Sequence, residues 1–175
     1  MSEYYLNTSN INDWVAGLKA GDRVYLSGTV YTARDAAHKR ITALIESGGE
    51  LPFELNGAVV YYAGPTPEKD NLAIGSIGPT TSSRMDVFAP ELISLGLKAM
   101  VGKGNRSAEV VEAMKRHTCV YFAAIGGAGA LYSRCVTECQ VVAFPELGCE
   151  SVKKLTVKDF PLVVAIDSLG DSLYK

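Results

Sequence analysis

Four hydroxyls and an arginine occupy five consecutive positions in Gly78-Pro79-Thr80-Thr81-Ser82-Ser83-Arg84-Met85-Asp86, a combination suited to holding an anion. The apolar, glycine-bounded Ala73-Ile74-Gly75-Ser76-Ile77 ahead of it reads as a strand end. Val87 to Leu97 behind it has helix-compatible apolar spacing, which predicts the hydroxyls at a strand-to-helix turn. The free N–H groups and partial positive charge of a helix N-terminus attract anions. Arg84 lies four residues beyond Thr80 and three beyond Thr81, so on a helical turn its guanidinium shares their face. A carboxylate held there would meet a planar fork.

Two further places have related chemistry. Thr32-Ala33-Arg34-Asp35 opens the clearest helix, with Thr32 placed as N-cap and Asp35 three residues later in a capping-box pattern. An arginine in a first turn gains nothing from the helix dipole, so Arg34 is either an ordinary surface residue or one bridged by a bound anion. Lys103, in Gly102-Lys103-Gly104-Asn105, is a point charge on a loop whose backbone can approach a ligand. Two helix starts, each with a threonine and an arginine, suit a molecule with two carboxylates better than a phosphate. The Gly102 loop lacks P-loop spacing, and Gly127-x-Gly129 has Tyr132 at the third glycine position, so that stretch reads as a structural turn. His38 either lines the Arg34 site or sits on a helix surface; His117 ends a helix, where an imidazolium is favourable. Without a Ser/His/Asp pattern or an inward carboxylate pair, the chain holds binding groups but no complete catalytic set.

The elements that must position these groups follow from periodicity. A short first helix is predicted over Asn10 to Leu18, then a strand from Arg23 to Tyr31, and a helix from Thr32 to Gly48-Gly49 with Ala37, Ile41, Leu44 and Ile45 as its stripe. Strands are expected at Gly57 to Ala63, Leu97 to Val101 and Thr118 to Ala124, with a helix from Ala108 to Arg116 before the last of them. Strand-then-helix order implies βαβ units on a parallel sheet. Gln140 to Phe144, Val152 to Val157 and Pro161 to Ile166 read as strands with little helix, a second and partly antiparallel layer. The expectation is one α/β domain over residues 1–175.

Composition narrows the class of function. The chain has 175 residues, 47% hydrophobic, with 17 basic against 19 acidic side chains. The scattered basic residues recommend neither nucleic acid nor an anionic membrane surface as partner. Met1-Ser2-Glu3-Tyr4-Tyr5-Leu6 lacks a basic, apolar leader pattern, and Cys119 to Tyr132 is too short and glycine-rich to span a bilayer, so a cytoplasmic location is expected. Cys119, Cys135, Cys139 and Cys149 are separated by sixteen, four and ten residues, which fits neither a zinc pair nor a ferredoxin run. They read as reduced thiols, with a disulfide or metal site as the alternative.

Thr32-Ala33-Arg34-Asp35-Ala36-Ala37-His38-Lys39-Arg40, Gly78 to Met85, Gly102-Lys103-Gly104-Asn105 and Ala124-Ile125-Gly126-Gly127-Ala128-Gly129-Ala130 together resemble the beta subunit of iron–sulfur hydro-lyases, the class I fumarase and L-tartrate dehydratase family. The resemblance covers nearly the whole chain. It implies a swivelling β/β/α fold, equivalent to the C-terminal domain of single-chain class I fumarases. It also implies a cluster-bearing alpha subunit as partner, whose three cysteines hold a 4Fe-4S cluster, and dimers of alpha–beta units with a beta–beta contact. By the same resemblance Arg34, Arg84 and Lys103 grip the dicarboxylate, Thr80 stands at the carbon that gains or loses a proton, and Thr81 supports the site. A threonine hydroxyl is a poor base alone, so an acidic partner from the alpha subunit is expected. The expected reaction is reversible hydration of fumarate to (S)-malate, with dehydration of L-tartrate to oxaloacetate as the close alternative. A non-catalytic dicarboxylate-binding regulatory domain is the reading from another class.

Overall fold

The apolar alternation along the strands accounts for the architecture. A computed structural model describes residues 1–69 and 71–174. Strands β1 (Glu3–Asn7), β2 (Arg23–Thr32), β3 (Val59–Tyr61), β4 (Ala99–Gly102) and β5 (Val120–Ala123) pair in that order, each parallel to the next. Strands β6 (Val136–Ala143) and β7 (Val152–Ile166) are antiparallel, and β7 pairs with β6, β5 and β2. The pairings β2-β3-β4-β5-β7-β2 therefore close on themselves. The antiparallel part expected from the last quarter is present, but it is hydrogen-bonded into the parallel strands instead of forming a separate sheet.

Two cores lie on the two faces of β3–β5. Val59, Tyr61, Val101, Val120 and Phe122 face Val24, Leu26, Val30, Leu155, Phe160 and Leu162 of β2 and β7. The alternate residues Val60, Tyr62, Met100 and Tyr121 face the helices, where they meet Ala37 and Ile41 of α2 (Asp35–Ser47), Leu92 and Ile93 of α3 (Ala89–Ser94), and Val110 and Met114 of α4 (Ala108–His117). Burial on both faces explains why these strands read as unbroken apolar runs. Helix α4 has Ser107 as N-cap, accepting the Val110 N–H at 3.3 Å, and three basic residues in its last turn.

Several local expectations give way to tertiary pairing. Thr32 is not an N-cap. It is the buried last residue of β2, paired with β3 and β7, and its hydroxyl accepts the Lys153 N–H at 3.2 Å; Arg34 takes the N-cap position of α2. A side-chain cap is worth about 1 kcal/mol, less than extending a ladder on both edges of a buried strand. The first helix, α1, spans only Ile11–Trp14, after a 3-10 turn over Thr8–Asn10. Val152–Val157 and Pro161–Ile166 are one strand, because β2 pairs along both halves; Asp159 takes the kink between them at φ 50° and its N–H donates to Ser27 Oγ. The helix expected over Val87 to Leu97 is shorter, starting at Ala89 with Pro90 in its first turn. The helices described include none long and apolar enough to cross a membrane.

Candidate active site

Because β2, β3, β4 and β5 run parallel, their carboxyl ends open on one edge, and antiparallel β7 begins at the same edge. Ligands gather at such edges in α/β sheets. The five residues singled out above all lie there: Arg34 after β2, Thr80, Thr81 and Arg84 on the segment leading to α3, and Lys103 after β4.

The hydroxyl turn is built differently from the expected helix start. Thr80 donates its N–H to the carbonyl of Tyr62, just past β3, at 2.6 Å. Thr81 forms a parallel bridge with Lys103, and Ser82 and Lys103 exchange bonds: Ser82 N–H to the Lys103 carbonyl at 2.9 Å, Lys103 N–H to Ser82 Oγ at 3.1 Å. The turn is thus an extra strand fragment laid beside the end of β4, followed by a 3-10 helix over Ser82–Met85. This approach requires Gly102, since a Cβ there would overlap the Ser82 hydroxyl. Lys103 is exposed, and its side chain passes over Gly126.

Arg84 does not share a helical face with Thr80 and Thr81. Its guanidinium reaches Asp35 in the first turn of α2, with Nε to Oδ1 at 3.0 Å and Nη2 to Oδ2 at 2.6 Å. The pairing is bidentate but half-exposed, so its effect is orientation more than stability. Among the described residues Nη1 has no partner and is left over for another anion. Arg34 lies against Gly64: a Cβ there would come within 3.0 Å of Nη1. Glu150 stands 3.9 Å from Nε, and that buried nitrogen has no hydrogen-bond partner among the described residues. Arg34 and Thr80 both touch the Tyr62–Gly64 segment, so the two halves of the site meet at the exit of β3.

Gly127 adopts φ 83° and Gly129 packs against Ser76–Gly78 with its carbonyl accepting the Ile77 N–H, a structural turn as read. His38 neither lines the site nor sits on a surface. It is buried between Tyr62 and Phe88, and since a carbonyl can only accept, its Nδ1 carries the proton donated to Arg34 O at 2.8 Å. Burial, reinforced by the Arg106 charge, holds its pKa down at about 4. The unfolded chain therefore binds a proton that the folded chain refuses. Stability should be complete above about pH 6.5 and fall by about 3 kcal/mol as pH drops from there to 4. Urea titrations across that range should show the slope, and His38→Gln should flatten it.

Sequence reasoning named Ser82 and Asp86 only as members of the hydroxyl run and missed the other residues beneath the turn: Tyr62, Tyr121 and Arg106. Arg106 was one position beyond the Gly102 loop, but only the fold shows it buried. The four cysteines are free; Cys119 is buried just ahead of β5 with its thiol pushed up to about 12 by desolvation. Among the described residues no three His, Cys, Asp or Glu side chains are grouped to hold a metal ion. A cleft of about 320 Å³ lined by Pro65, Ile74, Cys139, Cys149 and Lys153 lies beside the Arg34 end of the edge, since Gly64 packs against both Arg34 and the Cys149 carbonyl.

Comparison with known proteins places the sequence in a family. The chain is 44% identical over 99% of its length to the "Putative L(+)-tartrate dehydratase subunit beta" of Methanocaldococcus jannaschii, of which it covers 91%. It is 40% identical to fumarate hydratase 2 of Leishmania major and 39% identical to the anaerobic class I fumarate hydratase of Escherichia coli, in each case spanning 28% of that protein's length. The profile of the Fumarase C-terminus family matches residues 1–175, from β1 through every segment that builds the edge. The chain belongs to the Fumarase C-terminus family.

Proposed function

We propose that this chain is the beta subunit of a two-subunit iron–sulfur fumarate hydratase, interconverting fumarate and (S)-malate. The observation that carries the reading is the convergence of Arg34, Thr80, Thr81, Arg84 and Lys103 on one open edge, with a buried guanidinium nitrogen of Arg34 lacking a partner among the described residues. Two arginines and a lysine attract a C4 dicarboxylate, and Nη1 of Arg84 and Nε of Arg34, both without a hydrogen-bond partner among the described residues, supply directional donors for it. Thr80 has its backbone pinned to Tyr62 at the same edge, and its hydroxyl would carry the proton at the reacting carbon. Thr81 and Lys103 hold each other in register.

The site is half of one. Thr81, Arg84 and Lys103 are exposed, and Ile125 and Leu131 beside them leave 71% and 56% of their surface open, as expected where another chain covers the edge. We assign that position to a cluster-bearing alpha subunit, in an assembly with beta–beta contact, and the motion its closure needs to the swivelling character of the family's β/β/α domain. A 4Fe-4S cluster on that subunit would supply the Lewis acid for the substrate hydroxyl. A second reading, L(+)-tartrate dehydratase, is favoured by the name and near full-length coverage of the Methanocaldococcus jannaschii relative. The substrates differ by a hydroxyl, and one hydrogen bond can decide such a preference.

Anaerobic co-expression with the candidate alpha subunit, assaying fumarate, (S)-malate and L-tartrate side by side, tests both. Turnover of one in clear excess is expected. No turnover of any, with the cluster spectrum present, would sink the enzyme reading, and tight dicarboxylate binding by this chain alone would favour a regulatory domain.

A further inference from the structure

We infer that Arg106 is a positioning residue, a buried cation that clamps the Thr80–Arg84 turn onto the loop carrying Lys103. Its side chain has no exposed surface. Removing a guanidinium from water is so unfavourable that its surroundings must match it on every side. Nε donates to Asp86 Oδ1 at 2.7 Å, Nη2 to the Tyr62 hydroxyl at 3.2 Å, and Nη1 to Met100 Sδ at 3.2 Å. The guanidinium carbon stands 5.2 and 4.9 Å from the ring centres of Tyr62 and Tyr121. The second oxygen of Asp86 accepts the Ser107 N–H at 2.6 Å.

Each partner belongs to a different wall of the candidate site. Asp86 ends the 3-10 helix that carries Arg84. Tyr62 supplies the carbonyl that holds Thr80. The Tyr121 hydroxyl lies 2.8 Å from both the Gly104 carbonyl and Ser82 Oγ. A carbonyl can only accept, so the phenol donates to Gly104, and the Ser82 hydroxyl donates to the phenol while accepting from Lys103 N–H. One guanidinium thus orders the segments bearing Thr80, Arg84 and Lys103 from below without reaching the open edge. An apolar side chain of that length would fill the same volume without desolvating a charge, but it would fix none of these directions.

The clamp stands on geometry alone; its consequence for catalysis rests on the hydro-lyase reading. Amide exchange at Thr80, Ser82 and Lys103 in the full chain reads the clamp directly, because their N–H groups bond to Tyr62, Lys103 and Ser82. The double variant Asp86→Asn with Arg106→Met leaves no unpaired buried charge and keeps an acceptor for Ser107. It should melt close to the parent temperature, yet exchange those three amides at least about 10-fold faster while β7 is unchanged. Arg106→Lys, which keeps the charge and loses the fork, should speed the same three amides less, and it decides the matter if the double variant does not fold. Parent-like exchange at these amides in a folded variant would overturn the clamp. In the assembled enzyme the double variant should raise KM for the dicarboxylate about 10-fold. Unchanged KM beside fast exchange would overturn the catalytic consequence, whereas a parent enzyme inactive on every dicarboxylate would sink the hydro-lyase reading and leave the exchange result standing.

Discussion

Thr80→Ala, in the assembled enzyme, should lower kcat by about 10²- to 10⁴-fold, the range a positioned proton-transfer group supplies, with the cluster spectrum and KM close to those of the parent. The side chain points from a backbone already held by the Tyr62 carbonyl, so truncation leaves the turn standing and removes only the hydroxyl. Thr80→Ser keeps that oxygen and should retain most of the activity. Arg84→Lys should show the opposite split. A lysine cannot pair bidentately with Asp35 and still present a second edge, so KM should rise while kcat changes less. Steady-state kinetics on all three variants check the assignment, and near-normal kcat for Thr80→Ala would remove Thr80 from proton transfer.

Gly102→Ala should have the largest effect on the fold of the site. A methyl there collides with the Ser82 hydroxyl and comes within 3.0 Å of the Tyr62 ring, in a place where Ser82 is held by Lys103 and Tyr121. The side chain cannot simply swing away, so a loss of about 2–3 kcal/mol is expected. For a chain of this length that is a fall in Tm of roughly 4–12 °C. Adding Ser82→Ala removes the colliding oxygen, and the double variant should recover part of the stability. It should not recover activity, because the Lys103 N–H then loses its acceptor. Calorimetry on the two variants gives the first result and turnover the second; full stability of Gly102→Ala would show that β4 and the turn do not meet as closely as described.

The chemistry-bearing motifs were legible because strand and helix periodicity places loops in order along a parallel sheet, and such loops share an edge. The buried apolar runs at β3–β5 were legible for the same reason. Less legible was what each local signal would do under competition. Thr32 carries the residue type of an N-cap, yet two neighbouring strands hold it in β2. His38 reads as either a site-lining or a helix-surface residue, and only the packing of α2 onto Tyr62 and Phe88 shows it buried.

By itself, then, the sequence determined the element order, the two-faced burial of the parallel strands and the presence of Arg34, Thr80, Thr81, Arg84 and Lys103 near strand ends. These depend on spacing within a few residues. Tertiary structure alone decided that the hydroxyl turn is a strand fragment beside β4, that Arg84 turns to Asp35, that Arg34 keeps a nitrogen unpaired among the described residues, and that Arg106 lies beneath them all. Those outcomes depend on contacts between residues twenty to more than a hundred positions apart, made only once the chain closes β2 onto both β3 and β7.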